Sequence, residues 1–331
     1  MSALTRDQFR EGTFKRDHHK CVACGAPSQD AHHIIERRLW PDSGYHLDNG
    51  ASVCGPCHIL AEQTLLGCDE LRAKAGIKRI LLPPHLYGDQ AYDKWGNPVE
   101  ADLTRLRGEI FWDESVQKIL APVRHLFRNR VRHPRTHHLP WSETVSPDDE
   151  VNRDLSGLEG KEIVLSVKMD GEQTTMYSDG IHGRGQKYGP RGAENRSVIR
   201  GIHARIAADI PEGWRVCGEN LQGQRTIKYA YLADRFQVYG IWDAHDVLLP
   251  WDETLEWCGM LDLTPVKVLW RGLYDPAAIK AACVPVVDGD EAEGGVVRPS
   301  GAVPHQDFRK VVAKYVRAGH QPVHGQGYGR R

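Results

Sequence analysis

The 331-residue chain has no run of 18 or more apolar residues, so it holds no segment long enough to cross a bilayer as a helix. Its opening residues, M-S-A-L-T-R-D-Q-F-R-E-G, contain no apolar core of the secretory kind, which points away from export and toward a cytoplasmic protein. Net charge is nearly missing as well. The 43 Lys and Arg against 44 Asp and Glu leave −1, so the chain as a whole is not a polycation built to coat nucleic acid. Cysteines are few, and half of the eight sit in two C-x-x-C pairs, Cys21/Cys24 and Cys54/Cys57. The others (Cys68, Cys217, Cys258, Cys283) are scattered among apolar neighbours, as core thiols of a reducing compartment are. What remains is a soluble globular composition, and the length fits two domains.

Acidic residues are absent from one stretch. Between Glu114 and Glu143 there is none, while Lys118, Arg124, Arg128, Arg130, Arg132 and Arg135 fall there with four histidines. Such a run can neutralise phosphates. It is equally the composition of one solvated helix face and its loop.

Residues 1–80 form the first expected module. C-V-A-C-G and, 29 residues further on, C-G-P-C-H are two knuckles that can place four thiolates tetrahedrally about one structural Zn²⁺. Gly25 and Gly55-Pro56 supply the tight turns. A segment this small buries little core, so a structural metal would provide much of its folding free energy. Disulfides are the competing use of four cysteines and fit a cytosolic setting badly. Between and behind the knuckles lie His32-His33, Asn49 in D-N-G, and His58 directly after the last cysteine.

The order C-x-x-C, H-H-I, D-N-G, C-x-x-C-H resembles the HNH endonuclease family in its zinc-knuckle form. The resemblance implies a small ββα domain closed around one catalytic divalent metal. His33 would be the general base that activates water, His32 and His58 would ligate the metal, and Asn49 would orient the hairpin or assist the metal. The residue types suit that work: a neutral imidazole accepts a proton from water, and a metal offsets the charge of the phosphorane. The same residues would also serve a zinc module that only grips nucleic acid.

Residues 81–98, L-L-P-P-H-L-Y-G-D-Q-A-Y-D-K-W-G-N-P, carry Pro, Gly and Asn punctuation and read as a linker or irregular segment. From Asp102 to Phe127, Leu103, Leu106, Ile110, Val116, Ile119 and Leu120 recur at helical spacing, which predicts one or two helices. The expected organisation is a linker with a basic helical segment over 81–130, a second domain over 131–318, and a disordered tail over 319–331.

The second domain opens on I-V-L-S-V-K-M-D-G, residues 163–171. A lysine ending an apolar, β-branched run is either a solvated strand end or a nucleophile at the edge of a pocket. Ser178-Asp179-Gly180 predicts a hairpin turn leading to Arg184. W-R-V-C-G-E-N-L puts Glu219 at a strand end, and R-F-Q-V-Y-G-I-W-D alternates as a strand with Phe236, Val238 and Tyr239. E-A-E-G-G-V-V-R-P carries Glu293, and F-R-K-V-V-A-K-Y-V-R reads as a strand with Lys310 and Lys314. Each of these alone is an ordinary strand end or core position.

Their order (lysine, Glu, aromatic, Glu-Gly, lysine) resembles the covalent nucleotidyltransferase superfamily of polynucleotide ligases and capping enzymes. Within it the likeness is to the phage and RNA-editing type of RNA ligase. The resemblance implies an α+β fold: a ligase-type domain of antiparallel sheets with flanking helices beside the zinc-bound ββα module. It also implies an ATP-dependent RNA ligase, sealing 3′-OH and 5′-phosphate ends through AMP on Lys168, fused to a module that cleaves or grips nucleic acid. Arg184 would hold phosphates, and Glu219 would accept from the ribose hydroxyls. Tyr239 would stack on adenine, with Phe236 the runner-up. Glu293 would be the carboxylate beside Mg²⁺ or Mn²⁺. Asp170 would position the ribose or the attacking 3′-OH end, and Lys314 would contact the α-phosphate. A nucleophilic lysine must be neutral, so burial, Lys314 and the metal are expected to lower its pKa.

Two features depart from the family pattern. Val316 stands where a second lysine is expected, which leaves that task to Arg317 or Lys310. Only 17 residues follow Lys314, too few for the OB-fold that DNA ligases and capping enzymes need. RNA is therefore the favoured partner, with the N-terminal half and segment 118–135 as its grip and no membrane involved. The alternatives are a DNA-end ligase, or an HNH endonuclease whose nucleotidyltransferase domain senses nucleotide or ends.

Overall fold

The computed structural model describes residues 3–319 apart from 87, 89, 129, 147–148, 185–195 and 224–225. From residue 320 onward, the tail expected to be disordered lies outside the described residues. The chain divides into two compact units, residues 1–132 and 133–331. Among the described residues no helix is long and apolar enough to cross a membrane.

The first unit begins with α1 (Arg6–Arg16), whose start is set by a capping box. Thr5 accepts through its hydroxyl from the Gln8 N–H, and the Gln8 side chain accepts from the Thr5 N–H. Two antiparallel strands follow, β1 (Asp30–His33) and β2 (Gly50–Val53), in a register running from Asp30↔Val53 to His33↔Gly50. Directly after them comes α2 (Gly55–Glu62), with Pro56 in its first turn, where a missing N–H costs nothing. Then come α3 (Cys68–Lys74), a short hairpin of β3 (Ala91–Tyr92) and β4 (Pro98–Val99), and α4 (Glu114–Leu120).

The punctuated segment 81–98 contributes to the core of this unit. Trp95 is 3% exposed and packs with Ile34, Ile35, Leu39, Val53, Leu71 and Phe111. Its indole N–H donates to the Glu62 carbonyl at 2.7 Å. The buried Asp93 carboxylate shapes the turn by accepting from the N–H groups of Trp95 and Asn97 and from the Asn97 amide. The helical expectation over 102–127 holds only in its second half. α4 starts where Asp113 caps the N–H groups of Ser115 and Val116. Before it, the N–H groups of Arg105, Leu106 and Arg107 bond to the distant carbonyls of Leu126, Pro98 and Arg130. Tertiary pairing of the backbone thus overrides a helical apolar pattern and leaves Leu103 70% exposed.

The second unit holds β5 (His137–His138), β6 (Glu162–Lys168), β7 (Glu172–Tyr177), β8 (Gly180–Gly183), α5 (Ser197–Ile206), β9 (Arg215–Asn220) and β10 (Phe236–Trp242). It continues with β11 (Val247–Leu248), α6 (Trp251–Met260), β12 (Thr264–Pro265), β13 (Val268–Leu273), α7 (Pro276–Ala282), β14 (Val286–Val287) and β15 (Asp290–Glu291). It closes with β16 (Gly294–Pro299), β17 (Val303–Pro304), α8 (Phe308–Val311) and β18 (Ala313–Val316). One five-stranded sheet has the order β13-β6-β16-β18-β5. The other, seven-stranded, has the order β17-β11-β10-β9-β7-β8 with β12 beside β10. Apart from β10–β12 and β18–β5, the pairings are antiparallel, as the expected mixed α+β class requires. Ser178-Asp179 closes the β7–β8 hairpin as expected.

Strand alternation sorts the side chains between two cores. On β9, Val216 enters a core shared with α5 and α6, together with Met176, Ile199, Phe236, Val238 and Cys258. Its neighbour Cys217 enters the core that joins the two sheets, with Ile163, Leu165, Trp242, Val297 and Phe308. The run F-R-K-V-V-A-K-Y-V-R is not one strand. Phe308 and Val311 anchor the turn of α8 in that joining core, so Lys310 rides on a helix and only Lys314 on a strand.

β16 and β18 approach closely at Gly294, where a Cβ would lie 1.9 Å from the Tyr315 carbonyl oxygen. Gly294→Ala must prise the two strands apart, and its expected cost is about 2–3 kcal/mol or more. Urea unfolding should show a midpoint well below that of the unaltered chain, and an unchanged midpoint would refute the close approach.

Candidate active site and metal centre

β6 is buried from Ile163 to Val167 and emerges at Lys168. The neighbouring β16 begins at Gly294, directly opposite Lys168, so Glu293 meets the lysine, with Nζ 2.6 Å from Oε2. The turn after β6 completes the arrangement. Asp170 Oδ2 accepts from the N–H groups of Thr226 and Ile227 at 2.8 and 2.9 Å, and the Asp170 N–H donates to the Tyr229 hydroxyl at 2.7 Å. The Gly171 N–H donates to Glu219 Oε1 at 3.1 Å. A Cβ at residue 171 would sit 2.5 Å from the Asn220 carbonyl oxygen, so Asp-Gly here serves a close approach to β9 as well as a turn.

Burial pulls the Lys168 ammonium toward neutrality, but the charges of Glu293, Glu219 and Asp170 outweigh it, and the pKa stands above the ordinary lysine value. This corrects the expectation of a depressed pKa in the ligand-free protein. Lys314, the cation expected to lower it, is itself paired with Asp149, Nζ to Oδ2 at 2.9 Å. Burial lowers the pKa of Lys314, against the pull of Asp149. Glu219 is pushed up to about 7, chiefly by burial, with Glu293 adding to the rise and Lys168 opposing it.

Across β9 and β10, Gln237 stands opposite Glu219, and Phe236 stands opposite Asn220. Phe236 therefore points to the other face of the sheet, wholly buried in the core beneath α5 and α6. It offers no ring to the Glu219 side, which corrects its runner-up role. Tyr239 lies at an irregularity between Val238 and Gly240, where the strand gains one residue. It packs on the clusters around Leu165 and Val164, and its ring meets that of His133 edge-on at 5.3 Å. Arg184 follows β8 and is exposed; its charge, after burial and Arg215, helps push His133 down to about 3.

Val316 is buried opposite Gly294. Of its two proposed substitutes, Lys310 is exposed and pairs with Asp307 on its own turn at 2.9 Å. Arg317 lies closer to the lysine site: its backbone N–H donates to the Glu293 carbonyl, and its guanidinium bonds the Ala292 carbonyl and Glu291. Asp149, His138 and Tyr229 escaped sequence reasoning, because nothing local marks them.

In the first unit, the sulfurs of Cys21, Cys24, Cys54 and Cys57 all lie within 4.8 Å of one another, and those of Cys24 and Cys54 are 3.6 Å apart. Thiolates around a tetrahedral zinc sit about 3.8 Å apart, so the set fits that ion. All eight cysteines are free thiols.

A second group is His32, His58 and Glu62. Glu62 Oε1 lies 3.4 Å from His32 Nδ1 and 3.1 Å from His58 Nε2, while His58 Nδ1 is 3.3 Å from Asp30. Glu62 was missed, although its i, i+4 spacing from His58 on α2 puts both on one helix face. Lys94, from the segment read as linker, sets its Nζ 3.2 Å from Glu62 and 3.2 Å from Glu36. Burial, then the Lys94 charge, push His32 down to about 3, so its ring is neutral and can ligate. Burial alone would raise the Glu62 pKa, but bonds from both histidines and the Lys94 charge hold it well below the usual range.

His33, one residue along β1, projects away from His32. It stacks on Phe9 at 4.5 Å, with a buried Nε2 that has no hydrogen-bond partner. Burial and Lys94 push it down to about 4. Asn49 does not join the metal group. Its amide accepts from the Ile35 N–H and donates to the carbonyls of Ile35 and Gly44, so it clasps the loop behind the hairpin. Of its two expected roles, only the orienting one fits. Within the basic run, Lys118 pairs with Glu114 and Arg128 with Asp102, while Arg124 and Arg132 bond the neutral amides of Gln117 and Gln90 and keep their charge.

The family described as RNA ligase matches residues 161–316, a little under half of the chain, and that segment is similar to nucleotidyltransferase-type ligases. No curated protein sequence matches the chain. Among solved structures it is similar to a Naegleria gruberi RNA ligase variant with ATP and Mn, at 16% identity and TM-score 0.38, covering 49% of this chain and 51% of that one. The same RNA ligase with PPi gives 17% and 0.36, over 55% and 59%. An Aquifex aeolicus protein described as an ATP-dependent DNA ligase gives 19% and 0.41, over 56% and 49%. The chain thus spans about half the length of the structures it resembles, and likenesses this shallow carry no functional argument.

Because the Glu219 pKa rises on folding, ionising this group costs nothing at low pH. The cost grows from about 4.5 to about 7 and is constant above. Glu219→Gln is expected to stabilise the ligand-free protein by an amount that grows across that window and then levels off. Urea unfolding over the range checks it, and a gap independent of pH would refute the charge origin.

Proposed function

We propose that the second unit is an ATP-dependent polynucleotide ligase, with RNA the favoured substrate, that seals 3′-OH and 5′-phosphate ends through AMP carried on Lys168. The observation that carries this is a lysine ending a buried strand, 2.6 Å from Glu293 and in the field of Glu219 and Asp170, inside the RNA ligase match. In the first step Lys168 Nζ, having lost a proton, attacks the α-phosphorus of ATP. The N–P bond forms as the P–O bond to pyrophosphate breaks. AMP then passes to the 5′-phosphate, restoring the amine. Attack by the 3′-OH on that phosphate forms the phosphodiester and releases AMP.

Since carboxylates hold Lys168 protonated in the free protein, substrate binding has to remove that support. Glu219 turning to the ribose hydroxyls removes part of it. Glu293 would be the carboxylate beside Mg²⁺ or Mn²⁺, an ion that needs only one or two carboxylates and would supply charge neutralisation at the triphosphate. Lys314 contacts the α-phosphate, Arg184 holds phosphates, Tyr239 stacks on adenine, and Asp170 positions the ribose or the 3′-OH end. Arg317 takes the place of the missing second lysine, being bonded to the Glu293 backbone.

The first unit, in this proposal, is an HNH-type module acting on the same class of polymer. Its Cys21, Cys24, Cys54 and Cys57 hold structural zinc, and free thiols of this kind suit a cytoplasmic setting. His32, His58 and Glu62 hold a divalent metal, and His33, neutral at physiological pH, takes a proton from water.

Incubation with α-labelled ATP and Mn²⁺ should leave label on the denatured chain, and Lys168→Ala should abolish it. Label that survives the substitution would sink the ligase assignment. For the first unit, metal-dependent cleavage of single-stranded and duplex nucleic acid should fall about tenfold or more in His58→Ala and in His33→Ala. Cleavage indifferent to both would leave the module a grip.

A further inference from the structure

Lys314 is held by residues that lie upstream of the matched ligase segment. β5 runs parallel to β18 with His138 opposite Lys314, and the Leu139 N–H donates to the Lys314 carbonyl at 2.7 Å. On its other side β5 is stitched to residues 150–152: the His138 N–H donates to the Glu150 carbonyl and the Asn152 N–H to the His138 carbonyl. That stitching sets Asp149 over the strand. One carboxylate oxygen, Asp149 Oδ2, meets both Lys314 Nζ at 2.9 Å and His138 Nε2 at 3.0 Å. The imidazole is 2% exposed, and its Nδ1 lies 2.8 Å from the Ser142 hydroxyl. That hydroxyl also accepts from the Val316 N–H at 2.9 Å. A continuous chain of contacts therefore runs from the backbone of β18, through Ser142, His138 and Asp149, back to the ammonium of Lys314.

A lysine is a compact charge on a flexible stem, and aiming it at one phosphate requires a fixed counter-charge. We propose that Asp149, backed by His138, is a positioning residue for the adenylylation step. The pair orients the Lys314 ammonium toward the α-phosphate and holds it in place as charge builds there during attack by Lys168. The inference rests on the ligase reading and adds to it two residues from before residue 161. Orientation is needed most in the transition state, so the loss on breaking the chain falls on the maximal rate rather than on ATP binding.

The test is single-turnover labelling of the full-length chain with α-labelled ATP and Mn²⁺ over a range of ATP concentrations. Asp149→Asn is expected to lower the maximal rate about tenfold or more, with half-saturating ATP unchanged within about threefold. His138→Leu should act in the same way. His138→Gln, whose amide can still donate to Asp149, should retain a rate within about threefold of the unaltered chain. Thermal midpoints close to that of the unaltered chain separate positioning from misfolding, and the two His138 variants decide the matter if Asp149→Asn does not fold. An Asp149→Asn rate equal to or above that of the unaltered chain overturns the proposal, as does a loss confined to half-saturating ATP or a His138→Gln as slow as His138→Leu. If the unaltered chain itself takes no label, the ligase reading fails, which is a result distinct from these.

Discussion

The contact between Lys168 and Glu293 is the constraint around which the second unit is arranged. It joins residues 125 positions apart, and it forms only because β16 enters the sheet next to β6 with Gly294 opposite the lysine. Two glycines permit that arrangement. Gly294 lets β18 lie against β16, and Gly171 lets the turn after β6 press on β9, which brings Glu219 into the field of the lysine. Once the strands are so placed, electrostatics follow. Burial disfavours the ammonium, three carboxylates favour it, and the carboxylates prevail. The free protein thus favours a charged lysine, and under the proposed ligase function Lys168 would become a nucleophile only when the carboxylates find other work. A lysine depressed from the outset would be the simpler device, but the structure does not have it.

In the first unit a comparable role falls to two clusters rather than one ion pair. Four sulfurs gathered within 4.8 Å can bind an ion whose association in small zinc domains is worth about 10–16 kcal/mol, beside a shared apolar core that includes Ile34, Ile35, Val53 and Trp95. Beside them, Glu62 shares one oxygen between two histidines and is also approached by Lys94. Lys94 reaches it because Asp93 and Asn97 wind the turn that carries it, and Trp95 pins that turn into the core.

Much of this was legible from residues alone where the chemistry is local. The C-x-x-C pairs, the Ser-Asp-Gly turn, and the apolar run ending in lysine are short-range patterns, and each appears where its spacing put it. The order of Glu219, Tyr239, Glu293 and Lys314 behind Lys168 likewise marked one domain before any strand was paired. Less was legible where the outcome depends on which face of a strand a residue occupies. Phe236 pairs opposite Asn220 and not Glu219, so it falls to the core beneath α5 and α6, while Tyr239 sits at the irregularity between Val238 and Gly240 and packs toward Leu165 and His133. Asp149, His138 and Lys94 carry no motif at all; they matter through what lies across from them.

The sequence by itself determined the inventory: a lysine at the end of a buried strand, the carboxylates and the second lysine in fixed order, and four thiols with histidines between them. These follow from composition and spacing, which the chain carries whether folded or not. Only the tertiary structure decided the charge on Lys168, the partner that restrains Lys314, the loss of Phe236 to the core, and the entry of Glu62 in place of Asn49. Those depend on distances of about 3 Å between residues tens to hundreds of positions apart, and at such range register and burial set the strength of every charge.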